Sequence, residues 1–275
     1  MIRAVRLREL FGAERPVIGS IALLPLPGSP RFGGELEPVV EAALEDASAL
    51  ESGGVDGLSV ENIGDAPYFK TEAPPETVAS IGRVLAELRR QTDLPLGVNV
   101  LRNCARASLG LAQAFGGGFI RVNVLTEAAM TDQGLIEGVA AELMRARRLL
   151  GADRIAVFAD VHVKHAAPLL PRPIRESAMD MVERGGADVL VISGSRTGAP
   201  ADVADVEAVR GLGADVVLGS GVTGSNASTM LRAADGAIVA TAFRPDGDLS
   251  KRADRALVEA FMDVVRTVRA SGAHP

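Results

Sequence analysis

Three ionisable side chains on one predicted strand are the strongest indication of chemistry in this sequence. Residues 155–165 alternate between apolar and other side chains, as the residues of a strand do. Asp160, His162 and Lys164 share the face opposite the apolar positions, where a carboxylate, an imidazole and an amine could transfer protons. A desolvated lysine could also form a Schiff base with a carbonyl substrate. A strand with a solvated end explains any one of these residues, but three converging unlike charges are costly unless they are paired or used.

Glycine-rich turns after two later predicted strands could bind an anion. The segments 193–198 and 219–226 expose backbone N–H groups, and a short predicted helix follows the second segment. Gly221 would let the backbone approach a phosphate, the helix beginning near Asn226 would supply its positive end, and Arg244 could add charge. A tight turn without a ligand is the alternative, but a place after the seventh predicted strand favours a phosphate site. The predicted phosphate-binding residues are Ser193, Gly194, Gly219, Ser220, Gly221, Val222, Thr223 and Arg244.

The elements that must position these groups alternate regularly between strand and helix. Strands are predicted over 17–24, 57–62, 96–101, 119–125, 155–165, 188–193, 216–219 and 237–242. Helices are predicted over 38–52, 74–92, 105–115, 135–150, 174–184, 203–212, 227–233 and 254–270. Eight similar units without a dinucleotide-binding fingerprint favour a closed (β/α)8 barrel, or TIM barrel, over a doubly wound sheet. One domain is expected over 1–275, in which a short helix within 1–12 closes the bottom of a barrel that spans about 17–270.

The predicted barrel brings further polar residues to the same place. In a parallel barrel the polar member of each alternating pair points inward, because the outer face packs on helices. Side chains of the second to fourth strands would therefore meet Asp160, His162 and Lys164 at the carboxyl end of the barrel, where barrel enzymes keep their sites. The alternative is a polar plug whose groups only satisfy one another. Glu61 is a further catalytic candidate, and the predicted substrate-binding residues are Asn62, Asn99, Arg102, Asn103, Arg121, Asn123 and Thr241.

The composition limits the class of protein and its partners. An apolar fraction of 47% and a charged fraction of 23% are typical of a globular protein. The net charge of -6 and the lack of a basic run argue against a nucleic-acid partner. The single Cys104 excludes an internal disulfide and fits a reducing compartment. No apolar run reaches the roughly 18 residues of a transmembrane segment, so a cytoplasmic protein is expected, and homo-oligomer formation is left open.

The sequence resembles the BtpA family over nearly its whole length. The motifs that carry the resemblance are LLPLPGSP at 23–30, GGVDGLSVEN at 53–62, GVNVLRN at 97–103, FIRVNV at 119–124, ADVHVKHA at 159–166 and GSGVT at 219–223. Two departures lie near the predicted phosphate site, where Gly224-Ser225 replaces a Pro-Glu pair and 247–254 carries LSKR instead of an Asn-Pro turn. The resemblance implies a (β/α)8 barrel and, through the family's name, a role in photosystem I biogenesis. It implies little about a reaction, because similar proteins occur in organisms that do not photosynthesise, some beside sugar-utilisation genes.

The residues favour an enzyme that acts on a small phosphorylated, sugar-like metabolite. Lys164 would be the Schiff-base nucleophile or the general base, and Asp160 and His162 would move protons in lyase, isomerase or aldolase chemistry. Glu61 and the asparagines would hold substrate hydroxyls. This prediction needs no cofactor.

Two other functions are weighed against this enzyme. A metal-dependent hydrolase could use Glu61, Asp160 and His162 as ligands of a divalent metal ion. The sequence has no H-x-H pair, however, and Lys164 on the same face would repel the ion. A non-catalytic assembly or stability factor, as the family name suggests, would have no need of the polar cluster.

Overall fold

The protein is a closed barrel of parallel strands, as a computed structural model that describes residues 4–272 shows. The eight barrel strands are β1 Val17–Ala22, β2 Gly57–Glu61, β3 Leu96–Asn99, β4 Phe119–Val122, β7 Ala156–Val161, β9 Val189–Ile192, β10 Asp215–Leu218 and β11 Gly236–Val239. They lie around the barrel in the order β1-β11-β10-β9-β7-β4-β3-β2, and β2 pairs with β1 to close it. The predicted TIM barrel is therefore confirmed.

Amphipathic helices follow the barrel strands and cover their outer faces. They are α2 Glu37–Gly53, α3 Pro75–Gln91, α4 Ala105–Ala114, α5 Ala140–Leu149, α6 Ile174–Glu183, α7 Val203–Val209, α8 Ala227–Ala233 and α9 Arg255–Ala270, and a further short helix, α1 Leu7–Phe11, precedes β1. The spacing of apolar residues explains how they pack: α9 buries Val258, Phe261, Met262, Val265 and Val268 along one face. Within 4–272, none of these helices is long and apolar enough to cross a membrane.

The lower half of the barrel is filled and closed. The rings of Phe119 and Phe158 stack in the interior with centroids 4.6 Å apart. Leu7 of α1 packs against this cluster from below. The Asp188 and Asp215 carboxylates accept hydrogen bonds from the backbone N–H groups of Val5 and Leu7, at 3.0 and 2.9 Å. Among the described residues, α1 therefore lies at the bottom of the barrel, and residues 1–3 of the helix expected within 1–12 lie outside them. The barrel is open at the carboxyl end of its strands.

A small antiparallel sheet lies over one side of the barrel's open end. Its strands β5 Ala128–Thr131, β6 Gly134–Glu137 and β8 Ala166–Pro168 have the order β6-β5-β8. The predicted helix over 135–150 is therefore wrong at its start, because α5 begins only at Ala140. The reason is a hairpin in which Ile136 packs on Ala129, while Gly134 takes the left-handed conformation with φ +87°.

Gly97→Ala is expected to destabilise the barrel by about 2 kcal/mol. A Cβ at Gly97 would lie 2.0 Å from the ring of Phe119, which the stack on Phe158 holds in place. Gly110→Ala in α4 is the matched control, because nothing lies within 4 Å of its Cβ position. Removing a helical glycine should stabilise the protein by about 0.5–1 kcal/mol. Urea unfolding of the two variants measures both effects, and equal stabilities would contradict the packing described for Gly97.

Candidate active site

A cavity of about 570 Å³ occupies the upper half of the barrel. Loops that follow barrel strands on all sides contribute to its wall. Predicted site residues that line it are Glu61, Asn99, Arg102, Arg121, Asn123, Lys164, Gly219, Ser220, Gly221, Val222 and Thr241. Further lining residues that are not among the predicted site residues include Ser20, Tyr68, Asp132, His165, Thr197 and Gly198.

An arginine held between carboxylates forms the floor of the cavity. Arg121 of β4 donates to Asp160 of β7 through Nε at 3.0 Å and Nη2 at 2.8 Å, and Asn123 donates to the same carboxylate at 2.7 Å. Burial alone would lower the Arg121 pKa, but the Asp160 and Glu61 carboxylates raise it above its ordinary value. The Asp160 side chain has no exposed surface and does not line the cavity. Asp160 therefore positions Arg121 and Asn123.

Glu61 is the carboxylate that faces the cavity from β2. Its Oε1 accepts a hydrogen bond from Ser59 Oγ at 3.2 Å and lies 3.6 Å from Arg121 Nη1. Asn99 and Asn123 are buried and line the same cavity, and within residues 4–272 Asn123 Oδ1 has no hydrogen-bond partner. These groups offer acceptors and donors for substrate hydroxyls.

Lys164 extends into the cavity from the loop after β7. Among residues 4–272 its ammonium group makes no ion pair within 4.0 Å. Burial and the charge of Arg121 together lower the pKa of Lys164 to about 8, although Glu61 and Asp160 partly oppose the shift. A lysine with this pKa is partly neutral near neutral pH, so it can act as a nucleophile or a base.

His162 does not join Lys164, and the expectation that both share one strand face with Asp160 is wrong. β7 ends at Val161, and His162 takes the left-handed conformation with φ +51°, which breaks the alternation. The His162 Nε2 lies 3.1 Å from Ser177 Oγ of α6, outside the cavity.

His165 lines the cavity where His162 was expected. Its Nε2 lies 2.9 Å from Thr197 Oγ1, and burial, with the charge of Lys164, lowers its pKa. The sequence signal was present, because His165 is a second histidine in the segment 155–165. Tyr68 lines the opposite side, where its hydroxyl donates to the Ile63 carbonyl at 2.9 Å. Nothing in the sequence pointed to Tyr68 beyond its being the single tyrosine.

Two predicted substrate-binding asparagines hold loops in place instead. Asn62 Oδ1 accepts from the backbone N–H of Leu101 at 2.8 Å, and its amide donates to Asp65. Asn103 forms a pair of hydrogen bonds, each 2.9 Å, with the backbone of Val124. Neither side chain lines the cavity, because each ties the loop after one barrel strand to a neighbouring loop.

The loop after β10 lines the cavity and contains backbone N–H groups that have no backbone acceptor. Within the described chain, the N–H groups of Ser220, Gly221 and Val222 donate no hydrogen bond to another backbone group. The N–H of Thr223 is occupied, because it donates to Asn226 Oδ1 at 2.8 Å. The α8 helix has only 7 residues, and the Thr223 carbonyl accepts from the N–H of Ala227, so this helix does not present its N-terminus to a ligand.

Gly221 serves a purpose other than the predicted approach to a phosphate. A Cβ at this position would lie 2.2–2.3 Å from the backbone of Ala199 and Pro200, and its φ is +71°. Only glycine therefore lets the β9 and β10 loops meet. The Ser220 hydroxyl joins the same loops, since it donates to the Ala199 carbonyl and accepts from the Gly194 N–H.

Three other predicted phosphate-binding residues lie away from the cavity. Arg244 is buried and bonded to Asp46 at 2.9 Å, so it holds α2 to the loop after β11 and does not line the cavity. Ser193 and Gly194 lie behind the cavity wall, and Thr197 and Gly198 take their place along it. The cause is the long β9 loop, which folds back over its own beginning at Gly194.

The arrangement offers no metal centre among residues 4–272, where no three His, Cys, Asp or Glu side chains are grouped to hold an ion. Of the three predicted ligands, Asp160 is occupied by Arg121 and Asn123, and His162 points away. Glu61 alone faces the cavity. The geometry therefore gives the metal-dependent hydrolase no support.

Comparisons with known proteins identify relatives along almost the whole chain. A family model described as the BtpA family matches residues 13–267. Photosystem I biogenesis protein BtpA from Synechocystis sp. is 43% identical over 259 residues, which cover 94% of this chain and 90% of the relative.

Solved structures with low sequence identity share the fold. Thiamine phosphate pyrophosphorylase from Pyrococcus furiosus has a TM-score of 0.53 at 19% identity, covering 92% of this chain and 95% of its own. Orotidine 5'-phosphate decarboxylase from Pyrococcus horikoshii has a TM-score of 0.56 at 11% identity, and the match covers 91% of this chain and 99% of the decarboxylase chain. At these identities the likeness establishes the TIM-barrel fold.

Proposed function

The chain belongs to the BtpA family, and we propose that it is an enzyme that acts on a small phosphorylated, sugar-like metabolite. The observation that carries this proposal is Lys164, an unpaired lysine with a pKa of about 8 that faces a closed-bottomed cavity. An amine held in this state is costly unless it is used. The names of the two solved barrels contain phosphorylated compounds, which supports the same class of ligand.

Lys164 would act on the carbon skeleton of the substrate. In its neutral form the amine can take a proton from a carbon next to a carbonyl group. It can also attack the carbonyl carbon, and loss of water then gives a Schiff base. Glu61 and Asn99 would hold hydroxyl groups, and Arg121 beneath them would stabilise negative charge on an oxygen during the reaction.

The phosphate would bind to the loop after β10. The N–H groups of Ser220, Gly221 and Val222 are the free donors there, and Thr241 lies next to them on the cavity wall. Successive backbone N–H groups in a turn form a concave anion site, and barrels commonly use this position for phosphate.

Gly221→Ala is expected to weaken the binding of inorganic phosphate by at least about tenfold, a loss on the order of 1.4 kcal/mol. The added methyl group would collide with the backbone of Ala199 and Pro200, so the loop must shift and its N–H groups must move. Gly224→Ala is the matched control, because nothing lies within 4 Å of its Cβ position. Isothermal titration of phosphate into wild type and both variants measures the effect. Equal phosphate affinities in all three proteins would place the anion elsewhere.

A second candidate is the assembly role in the name of the Synechocystis relative. The observation that favours it is a group of exposed apolar side chains on and beside the small sheet, namely Met130, Leu135, Leu169 and Leu170. A function of that kind would not depend on an amine in the cavity. A variant that lacks the Lys164 amine therefore distinguishes the two candidates in any assay of cellular function.

A further inference from the structure

Arg102 is a buried arginine without a carboxylate partner. It follows β3, lines the cavity and is 5% exposed. Its Nη2 donates to the backbone carbonyl of Lys164, but in the described part of the chain its Nε has no hydrogen-bond partner. No Asp or Glu of residues 4–272 lies within ion-pairing distance of its guanidinium group. Burial accordingly lowers the pKa of Arg102 below its ordinary value.

Three other deeply buried arginines are paired with carboxylates. Arg121 bonds to Asp160 at 2.8 Å, Arg147 to Asp188 at 3.0 Å and Arg244 to Asp46 at 2.9 Å. A buried charge without a partner destabilises a fold, so a protein that pairs these three arginines with carboxylates is expected to leave Arg102 unpaired only where a ligand supplies the opposite charge. A guanidinium group that lines a cavity with donors to spare fits a planar or tetrahedral anion of a ligand.

The positions of Arg102 and of the loop after β10, where the phosphate is proposed to bind, indicate how far apart two anionic groups of a ligand would lie. Around the closed barrel, β3 and β10 are connected by β2-β1-β11 on one side and by β4-β7-β9 on the other, so they face each other across the cavity. Arg102 follows β3 and the free N–H groups of Ser220 and Gly221 follow β10. Lys164 follows β7, which lies halfway between them.

We propose that Arg102 binds a second anionic group of the substrate, so that the substrate has an anion at each end and its reacting carbons lie next to Lys164. This inference rests on the proposed function, because the first anion is the phosphate at Ser220–Val222. The second anion is a carboxylate or a phosphate. The substrate class is therefore a phosphorylated sugar acid or a sugar bisphosphate.

Calorimetric titration with probes that differ only in their second group tests the proposal. The probes are sorbitol 6-phosphate, with one anion, and 6-phosphogluconate and sorbitol 1,6-bisphosphate, with two. Wild type is expected to bind at least one two-anion probe about 10- to 100-fold more tightly than sorbitol 6-phosphate, as a charge-assisted hydrogen-bond pair implies. The two-anion probe that shows the larger gain in affinity over sorbitol 6-phosphate identifies the second anion as a carboxylate or a phosphate.

Variants of Arg102 show whether this residue supplies the gain. Arg102→Gln should bring the two-anion probes to within about 3-fold of sorbitol 6-phosphate, and Arg102→Lys, which keeps the charge but not the fork, should give an intermediate ratio. Arg106→Gln, which removes an exposed charge outside the cavity, should leave the ratio of wild type. If Arg102→Gln does not fold, Arg102→Lys provides the test. If the ratio of its affinities for the two-anion probes and for sorbitol 6-phosphate equals that of wild type, the proposal is wrong.

The failures of this inference and of the proposed function are distinguishable. If phosphate and sorbitol 6-phosphate bind but a second anion adds nothing, the Arg102 inference is wrong and the phosphate site stands. If no phosphorylated probe binds, the proposed function is wrong, and gluconate then decides the remaining question. If wild type binds gluconate and Arg102→Gln does not, the anion site at Arg102 is supported. If wild type does not bind gluconate either, the anion site at Arg102 is also wrong.

Discussion

Lys164→Met is expected to abolish turnover, by about 10³-fold or more, and at the same time to stabilise the protein at pH 7. The amine is lost as base or nucleophile, and no carboxylate of residues 4–272 is left unpaired, because Lys164 has no ion-pair partner there. Its folded pKa of about 8 lies below the ordinary value of 10.5, so protonation opposes folding. Removal of this charge should stabilise the protein on the order of 2 kcal/mol, allowing for partial contact with solvent.

The stability that Lys164→Met gains over wild type should depend on pH. Between pH 8 and pH 10.5 the unfolded chain binds the Lys164 proton and the folded protein releases it, so the stability of wild type rises with pH over this window. The stability gap between Lys164→Met and wild type should be largest below pH 8 and close towards pH 10.5. Turnover by wild type should rise through about pH 8, as the neutral amine forms.

Urea unfolding at several pH values and assays on a panel of phosphorylated metabolites measure these quantities. Lys70→Met is the control, because Lys70 is exposed and does not line the cavity. A Lys164→Met protein that is several kcal/mol less stable than wild type would show that Lys164 is half of a structural ion pair, and the catalytic assignment would be wrong.

Asp160→Asn is expected to destabilise the protein by about 3 kcal/mol, the loss typical of a broken buried ion pair. Three donors converge on this carboxylate, from Arg121 Nε, Arg121 Nη2 and Asn123 Nδ2. An amide offers one acceptor oxygen and would turn its own N–H groups towards donors. The floor of the cavity should move with Arg121, so turnover should fall together with stability.

The matched control for this change is an exposed ion pair. Asp153 lies 2.9 Å from Arg148, whose side chain is 78% exposed, so Asp153→Asn should change stability by no more than about 0.5 kcal/mol. Urea unfolding of both variants gives the comparison. If Asp160→Asn were as stable as Asp153→Asn, the Arg121–Asp160 pair could not be what holds the floor together.

The barrel could be predicted from the sequence because its pattern is local. Each strand shows apolar alternation, and each helix shows an apolar face, so the order of elements follows without long-range information. The hairpin over 128–137 was missed for a related reason. Leu135 and Ile136 continue into the apolar positions of α5, and only packing of Ile136 on Ala129 separates them from that helix.

Individual site residues were less predictable, because their roles depend on distant partners. Asn99 is the last residue of β3 and Asn62 directly follows β2, so their sequence positions are similar. Asn62 nevertheless bonds to the Leu101 backbone, whereas Asn99 faces the cavity. Arg244 pairs with Asp46, from which 198 residues separate it. His162 leaves the cavity because of one left-handed backbone angle. The spacing of apolar residues along the sequence, which predicts strands and helices, contains no information about any of these contacts.

A crystal structure of the protein in inorganic phosphate tests the central claim most directly, because the claim is that this cavity holds a phosphorylated metabolite beside Lys164. We predict tetrahedral density with oxygens about 3 Å from the backbone nitrogens of Ser220, Gly221 and Val222. A loop that stays empty at phosphate concentrations that saturate the protein in solution, or an anion bound away from this cavity, would contradict the account.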